Sequence, residues 1–228
     1  RKKFKAFLLE NKIDVVLCTM DHLWNSFIAG SIKRTGAVYM HTIHDAVRHP
    51  GEDQFWRQIL LDRDIALSDG AIVLTSAVGQ ALEKVHCYPA ERIYLSNHGH
   101  FGEFVLKKHR ILPNKRPIRL LFFGRILDYK GIDTLLDAMK ILKFNFPDLI
   151  LEIWGIGDFS RYQKQAKSLG CVRVENRWVN ETEIRDIFLN TDLLVLPYRE
   201  ASQSGVVGIA QAYGMPCVVS PISGLMEQ

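Results

Sequence analysis

The chain has 228 residues, 47% of them hydrophobic and 24% charged, with a formal net charge of +4. That length is room for one large domain or two modest ones, and the composition excludes a disordered or fibrous chain. A balance this mildly basic suits an anionic ligand or surface but does not point to nucleic acid.

In chain order, Phe4, Phe7 and Leu8 recur at helical spacing among lysines, so residues 1–11 read as an amphipathic helix. Its basic start is mainly a solvated face, and it leaves open a peripheral contact with anionic lipid. Ile13–Thr19 reads as a strand, and Trp24, Phe27 and Ile28 as the apolar face of a helix ending near Gly36. Ala37–Ile43 is a second strand leading into His44 and Asp45. Residues 52–67 read as a helix with Phe55, Ile59 and Leu60 on one side. Ala71–Thr75 is a third strand, Ser76 has the character of an N-cap, and Ile93–Leu95 is a fourth strand before Ser96–His100. Residues 107–117 combine charge with two prolines and read as a linker.

The second half is more regular. Strand Ile118–Phe123 precedes a helix with Ile132, Leu135, Leu136, Met139 and Leu142 on one face, ended by Pro147. Leu149–Trp154 is a strand running into Gly155-Ile-Gly157, then a helix spans Phe159–Leu169. A short strand at 172–175 is followed by a helix that Asn180 and Glu183 open with capping-box spacing. Leu193–Leu196, the loop Pro197–Ser204, a helix from Gly205 and a strand Pro216–Ser220 complete the pattern. Strand–helix alternation on both sides of the linker predicts two α/β units with parallel sheets, 1–112 and 113–228. Both chain ends read as cuts through a larger protein, so both units are expected to be incomplete.

The four cysteines, Cys18, Cys87, Cys171 and Cys217, show no paired spacing, so neither a disulfide framework nor a metal site is expected. Cys18 and Cys217 lie in apolar runs and read as small core residues. No apolar run approaches the ~18 residues of a membrane span. With no secretory signal visible, the expected setting is cytoplasmic, at or away from the inner face of the membrane.

Three loops of the second half follow apolar strands and should open on one sheet edge, where open α/β sheets bind ligands. They are Gly124-Arg125 to Lys130, Gly155 to Gly157, and Ala201 to Val206. Two cations beside a helix start suit a diphosphate. Taken singly, each has a plainer reading: solvated charges, a tight turn, and a helix capped by Ser202 or Ser204. The full Gly-x-Gly-x-x-Gly fingerprint is absent, with Ser160 where the third glycine would stand, and there is no Gly-Lys-Ser/Thr loop. That counts against a nicotinamide enzyme and an ATPase.

The second half resembles the donor-binding domain of the GT-B glycosyltransferases, in particular the retaining family 4 group. The resemblance rests on Phe123-Gly-Arg-Ile with Tyr-Lys-Gly131, on Ile153-Trp-Gly-Ile-Gly157, on Asp192-Leu-Leu-Val-Leu-Pro-Tyr198, on Ser202-Gln-Ser-Gly205 and on Ala212-Tyr-Gly-Met-Pro-Cys-Val-Val219. The first half is similar more loosely, through His44-Asp45 and Asn97-His-Gly99. The resemblance implies two Rossmann-like domains and a UDP- or GDP-sugar donor. It implies a glycan or lipid-linked acceptor, and neither a cofactor nor an obligatory metal. It assigns His44, Arg125 and Lys130 to catalysis, and Gly124, Gly155, Ser204, Gly205 and Val206 to donor binding.

One departure stands out. The family's glutamate pair falls on Ala201 and Ile209, and Glu200, one residue earlier, is the candidate substitute. A non-catalytic nucleotide- or glycan-binding member of the same fold, and a sugar-nucleotide epimerase, are the alternatives. His41 is expected to face the core, one step out of phase with His44. Asp45 is expected to cap or orient the loop after His44. His98 and His100 are expected to be structural, at the junction of the two units.

Overall fold

A computed structural model describes residues 1–47, 55–99, 110–113 and 116–228. They divide into two compact units, Arg1–His98 and Gly99–Met226, with Glu227 grouped with the first and Gln228 with the second. His100, much of the expected linker and the start of the helix expected at 52–67 lie outside the described residues.

The first unit is a parallel four-stranded sheet in the order β1 (Val15–Cys18), β2 (Val38–Ile43), β3 (Gly70–Val73), β4 (Ile93–Leu95). The helices α1 (Lys2–Glu10), α2 (Asn25–Lys33), α3 (Phe55–Leu67) and α4 (Ser76–His86) alternate with these strands. One core cluster gathers Leu8, Ala29, Ile32, Ala37 and Tyr39, with Phe4 packed against it. A second gathers Ile43, Leu61, Ile65, Val73, Val78 and Leu82. Since α1 directs Phe4 and Leu8 into the core, the lipid-facing expectation gains no support from it. Among the described residues no helix is long and apolar enough to cross a membrane.

Two helix faces differ from the expected ones. In α2 the buried residues are Asn25, Ser26, Ala29, Ser31 and Ile32, while Trp24 and Phe27 are exposed. In α3 Leu61, Asp64 and Ile65 turn inward, while Phe55 and Ile59 are exposed. Asn25 of α2 and Asp64 of α3 are buried where a partner waits, and that partner outranks hydrophobicity in setting the inward face. Asp64 accepts a hydrogen bond from the Tyr39 hydroxyl at 2.9 Å. Thr75, not Ser76, caps α4, with its hydroxyl accepting the Val78 amide at 3.4 Å.

The second unit is a parallel five-stranded sheet in the order β7 (Val172–Glu175), β6 (Ile150–Trp154), β5 (Arg119–Phe123), β8 (Leu193–Leu196), β9 (Cys217–Val219). Its helices are α5 (Ile132–Asn145), α6 (Gln163–Leu169), α7 (Glu181–Asn190), α8 (Gly205–Ala212) and the unexpected short α9 (Ser223–Glu227). Leu121, Phe122, Leu136, Met139, Leu151, Ile153, Phe188, Leu194 and Leu196 form the centre of its core. The near-continuous apolar strands are what a sheet covered on both faces demands. The capping box of α7 forms, with the Glu183 carboxylate accepting the Asn180 amide at 3.1 Å. Arg110 belongs to this unit: its guanidinium donates to the carbonyls of Thr191 at 2.7 Å and Tyr213 at 3.2 Å. All four cysteines are free, and Cys217 is exposed rather than buried, because β9 is the edge of the sheet.

Candidate functional site

From β5 the chain runs outward to β6 and β7, then crosses back so that β8 lies on the other side of β5. The strand order therefore reverses between β5 and β8. That is a topological switch point, and in open α/β sheets the loops at the carboxyl ends of two such strands are where ligands bind. The loops are Gly124–Gly131 after β5 and Pro197–Ser204 after β8.

Backbone packing brings all three expected loops to this edge. A Cβ on Gly155 would lie 1.8 Å from the Gly124 carbonyl oxygen, and Gly155 has φ +151°. Only glycine fits that approach of the β6 exit to the β5 exit. The Ile126 amide then donates to the Ile156 carbonyl at 2.9 Å, extending the contact. On the other side, a Cβ on Gly131 would lie 2.0 Å from the Pro197 carbonyl oxygen. A Cβ on Gly124 would be 3.9 Å from Val206 Cγ2, so the turn carrying Arg125 abuts the first turn of α8.

Lys130 closes a short 3₁₀ turn, Asp128–Lys130. Its Nζ sits 3.6 Å from the Tyr198 ring centroid and 4.9 Å from that of Tyr129. The two rings meet edge to face at 6.5 Å and are both buried. The ammonium is thus seated on a pair of π faces. Arg125 is exposed at the same edge. Ser204 is buried, and its amide donates to Gln228 Oε1 at 2.7 Å. The first helical bond of α8 runs from Val207 to the Ser204 carbonyl at 3.1 Å. The Gly205 and Val206 amides therefore precede the ladder and lie where an anion meets a helix start. Glu200 is exposed on the β8 loop.

In the first unit, His44 directly follows β2 and is half-buried. Its Nε2 lies 2.9 Å from the Thr19 carbonyl oxygen. A carbonyl can only accept, so Nε2 carries the proton in that contact. His86 Nε2 donates likewise to the Ala46 carbonyl at 2.8 Å and fixes the chain beyond His44. His41 is fully buried, as its place on β2 implied, with a carboxylate facing each ring nitrogen: Asp21 at 3.2 Å and Asp64 at 3.4 Å. Burial pushes the Asp64 carboxyl above its ordinary range, against the pull of His41 and the Tyr39 hydroxyl. Asp21, His22, Arg57 and Asp64, with Leu23, Leu60 and Leu61, line a pocket of about 260 Å³ at this place.

Sequence reasoning quoted Tyr129 and Tyr198 only within motifs, without a role, and passed over Arg199 and Asn176. Asn176 brackets Gly157, donating to its carbonyl at 3.0 Å and accepting its amide at 3.2 Å. Two tyrosines flanking the loops of a lysine were the available signal for the seat of Lys130; Asn176 had none. Among the described residues no group of three or more His, Cys, Asp or Glu side chains could hold a metal ion.

A model of the family described as Glycosyl transferases group 1 matches residues 106–228, more than half of the chain. The chain belongs to this family. As a member of glycosyl transferases group 1, it is 26% identical over 228 residues to a D-inositol 3-phosphate glycosyltransferase of Arthrobacter sp. (strain FB24), covering 90% of this chain and 54% of that protein. It is 27% identical over 199 residues to the GDP-mannose:glycolipid 4-beta-D-mannosyltransferase of Xanthomonas campestris pv. campestris, covering 84% of this chain and 52% of that one. The group 1 chain thus spans about half the length of these relatives. Among solved structures it resembles Anabaena HepE in complex with UDP, with a TM-score of 0.74 at 16% identity, covering 99% of this chain and 64% of HepE. That likeness shows a shared GT-B fold of Rossmann-like α/β units.

Proposed function

We propose that this chain is part of a retaining glycosyltransferase that moves a sugar from a UDP- or GDP-sugar to a glycan or lipid-linked acceptor. Residues 1–112 serve the acceptor side and residues 113–228 the donor side. The observation that carries the reading is the Lys130 ammonium seated 3.6 Å over the Tyr198 ring, on the loops that flank the switch point. The relative named for GDP-mannose and a glycolipid, and the HepE structure that holds UDP, support the donor and acceptor classes.

In this scheme the donor diphosphate meets Arg125 and Lys130 on one side and the Gly205 and Val206 amides on the other. As the bond from sugar to phosphate breaks, negative charge grows on the leaving oxygen. Fixed cations and amides stabilise it without reorganising, each worth about 10²–10³ in rate. The leaving phosphate takes the proton of the acceptor hydroxyl while the new glycosidic bond forms on the same face. Gly124 and Gly155 keep side chains out of the donor's way, and Ser204 sets the start of α8. Glu200 is assigned to donor hydroxyls and His44 to the transferred sugar. Nothing in the scheme calls on a metal or a resident cofactor.

The test is glycosyl transfer and donor hydrolysis by the intact protein. Lys130→Ala should lose at least tenfold in kcat/KM, since a charge-assisted bond to phosphate contributes roughly 1.5–3 kcal/mol. A smaller loss would remove the diphosphate clamp from the account. The second reading, a non-catalytic nucleotide-binding member, is favoured by one observation: Ala201 and Ile209 stand where the family's glutamates belong. Tight UDP or GDP binding by calorimetry with no turnover would decide for it.

A further inference from the structure

Resting on the reading of Lys130 as a donor-phosphate cation, we propose that Arg199 is a positioning residue that sets the place of that ammonium. Three contacts tie Arg199 to the turn that carries Lys130. Its backbone amide donates to the Tyr129 carbonyl at 2.7 Å. Its Nη1 donates to the Asp128 carbonyl at 3.1 Å. Its Nη2 meets the carboxylate of Asp133 in the first turn of α5.

The seat of Lys130 is assembled from two loops. Tyr129 comes from the 3₁₀ turn after β5, and Tyr198, beside Arg199, from the loop after β8. The two rings face the ammonium together only while turn and loop stay docked. A single 3₁₀ turn has poor hydrogen-bond geometry and fixes little by itself. The planar fork of a guanidinium bridges a carbonyl and a carboxylate at once, which an ammonium does not match. Burial raises the Asp133 carboxyl, but the Arg199 bond and the Thr134 amide outweigh it and hold the group below its ordinary range. Arg199 is half-exposed, with 49% of its side chain accessible. An ion pair so placed adds little to stability, so its removal should shift geometry rather than unfold the protein.

The experiment uses the intact protein as Arg199→Ala, Arg199→Lys, Lys130→Ala and the Arg199→Ala/Lys130→Ala double variant. Affinities for UDP and for uridine are measured by calorimetry, together with donor KM, kcat and Tm. Arg199→Ala should weaken UDP by about tenfold, or ~1.4 kcal/mol, leave uridine unchanged and leave Tm nearly unchanged. Arg199→Lys should recover part of the loss. The double variant should bind UDP no more weakly than Lys130→Ala alone, because one side chain acts through the other. An unchanged UDP affinity in Arg199→Ala, equal losses for UDP and uridine, or additive losses in the double variant would each overturn the proposal. Failure of the underlying reading looks different: Lys130→Ala would then bind UDP normally, and the positioning role would fall with it. Hydrogen exchange at residues 128–131 of the ligand-free protein reads the docking separately. It should speed up in Arg199→Ala, and unchanged protection there would also overturn the proposal.

Discussion

Gly155 shows what a single position reveals only in three dimensions. In the sequence, Gly155-Ile-Gly157 after a strand is an ordinary tight turn. In the fold, the site of a Gly155 Cβ is 1.8 Å from a neighbouring carbonyl oxygen, and the backbone is at φ +151°. Backbone on one side and a sterically restricted φ on the other leave nothing flexible to give way. Gly155→Ala should therefore destabilise the protein by ~3 kcal/mol or more, the sum of overpacking and backbone strain. Urea denaturation of the intact protein measures it. A loss under about 1 kcal/mol, the usual centre for point mutants, would mean that the strand exits separate freely. Lys130 was legible as a cation at a strand end, because its loop follows an apolar run. Its seat on Tyr198 was not, because the ring comes from a residue 68 positions further along the chain.

At the scale of elements, the strands were read well and the helix faces less so. Among the described residues the nine strands lie within a few residues of their expected places, because most are runs of apolar residues that need no partner to be recognised. The faces of α2 and α3 turned on Asn25 and Asp64, whose partners lie elsewhere in the chain. Asn25 Nδ2 donates to the Met20 carbonyl at 3.1 Å, and Asp64 accepts from Tyr39. The start of α7 is the opposite case, since its cap is local. There Arg177 and the Asn180 amide hold the Glu183 carboxyl at about 2, down from its ordinary 4.5. A depressed carboxyl stabilises the fold above its unfolded value and loses that contribution as pH falls through its folded one. Glu183→Gln should thus lower Tm above about pH 4.5, and the difference from the parent should shrink between pH 4.5 and 2. Thermal melts across that range test it, and a pH-independent difference would assign the loss to packing instead.

For the whole molecule, strand–helix alternation predicted two parallel α/β units but was silent on strand order. Alternation alone does not say that β8 returns beside β5, yet that return creates the switch point on which the proposed donor site rests. The Lys130 turn and the start of α8 come to the same sheet edge through that return. Nucleoside diphosphates should then stabilise the native state of the intact protein, since they find this pairing only when the sheet is formed. At 100 times its Kd such a ligand adds about 2.7 kcal/mol. UDP or GDP should raise Tm accordingly. The corresponding nucleoside, lacking the phosphates proposed to meet Lys130 and α8, should do so far less at equal concentration. Salt should erode the advantage, because the attraction is between charges at an accessible edge. Equal shifts from nucleoside and nucleoside diphosphate at low ionic strength would show that the base alone is held, and the sheet edge at the ends of β5 and β8 would lose its claim to the phosphates.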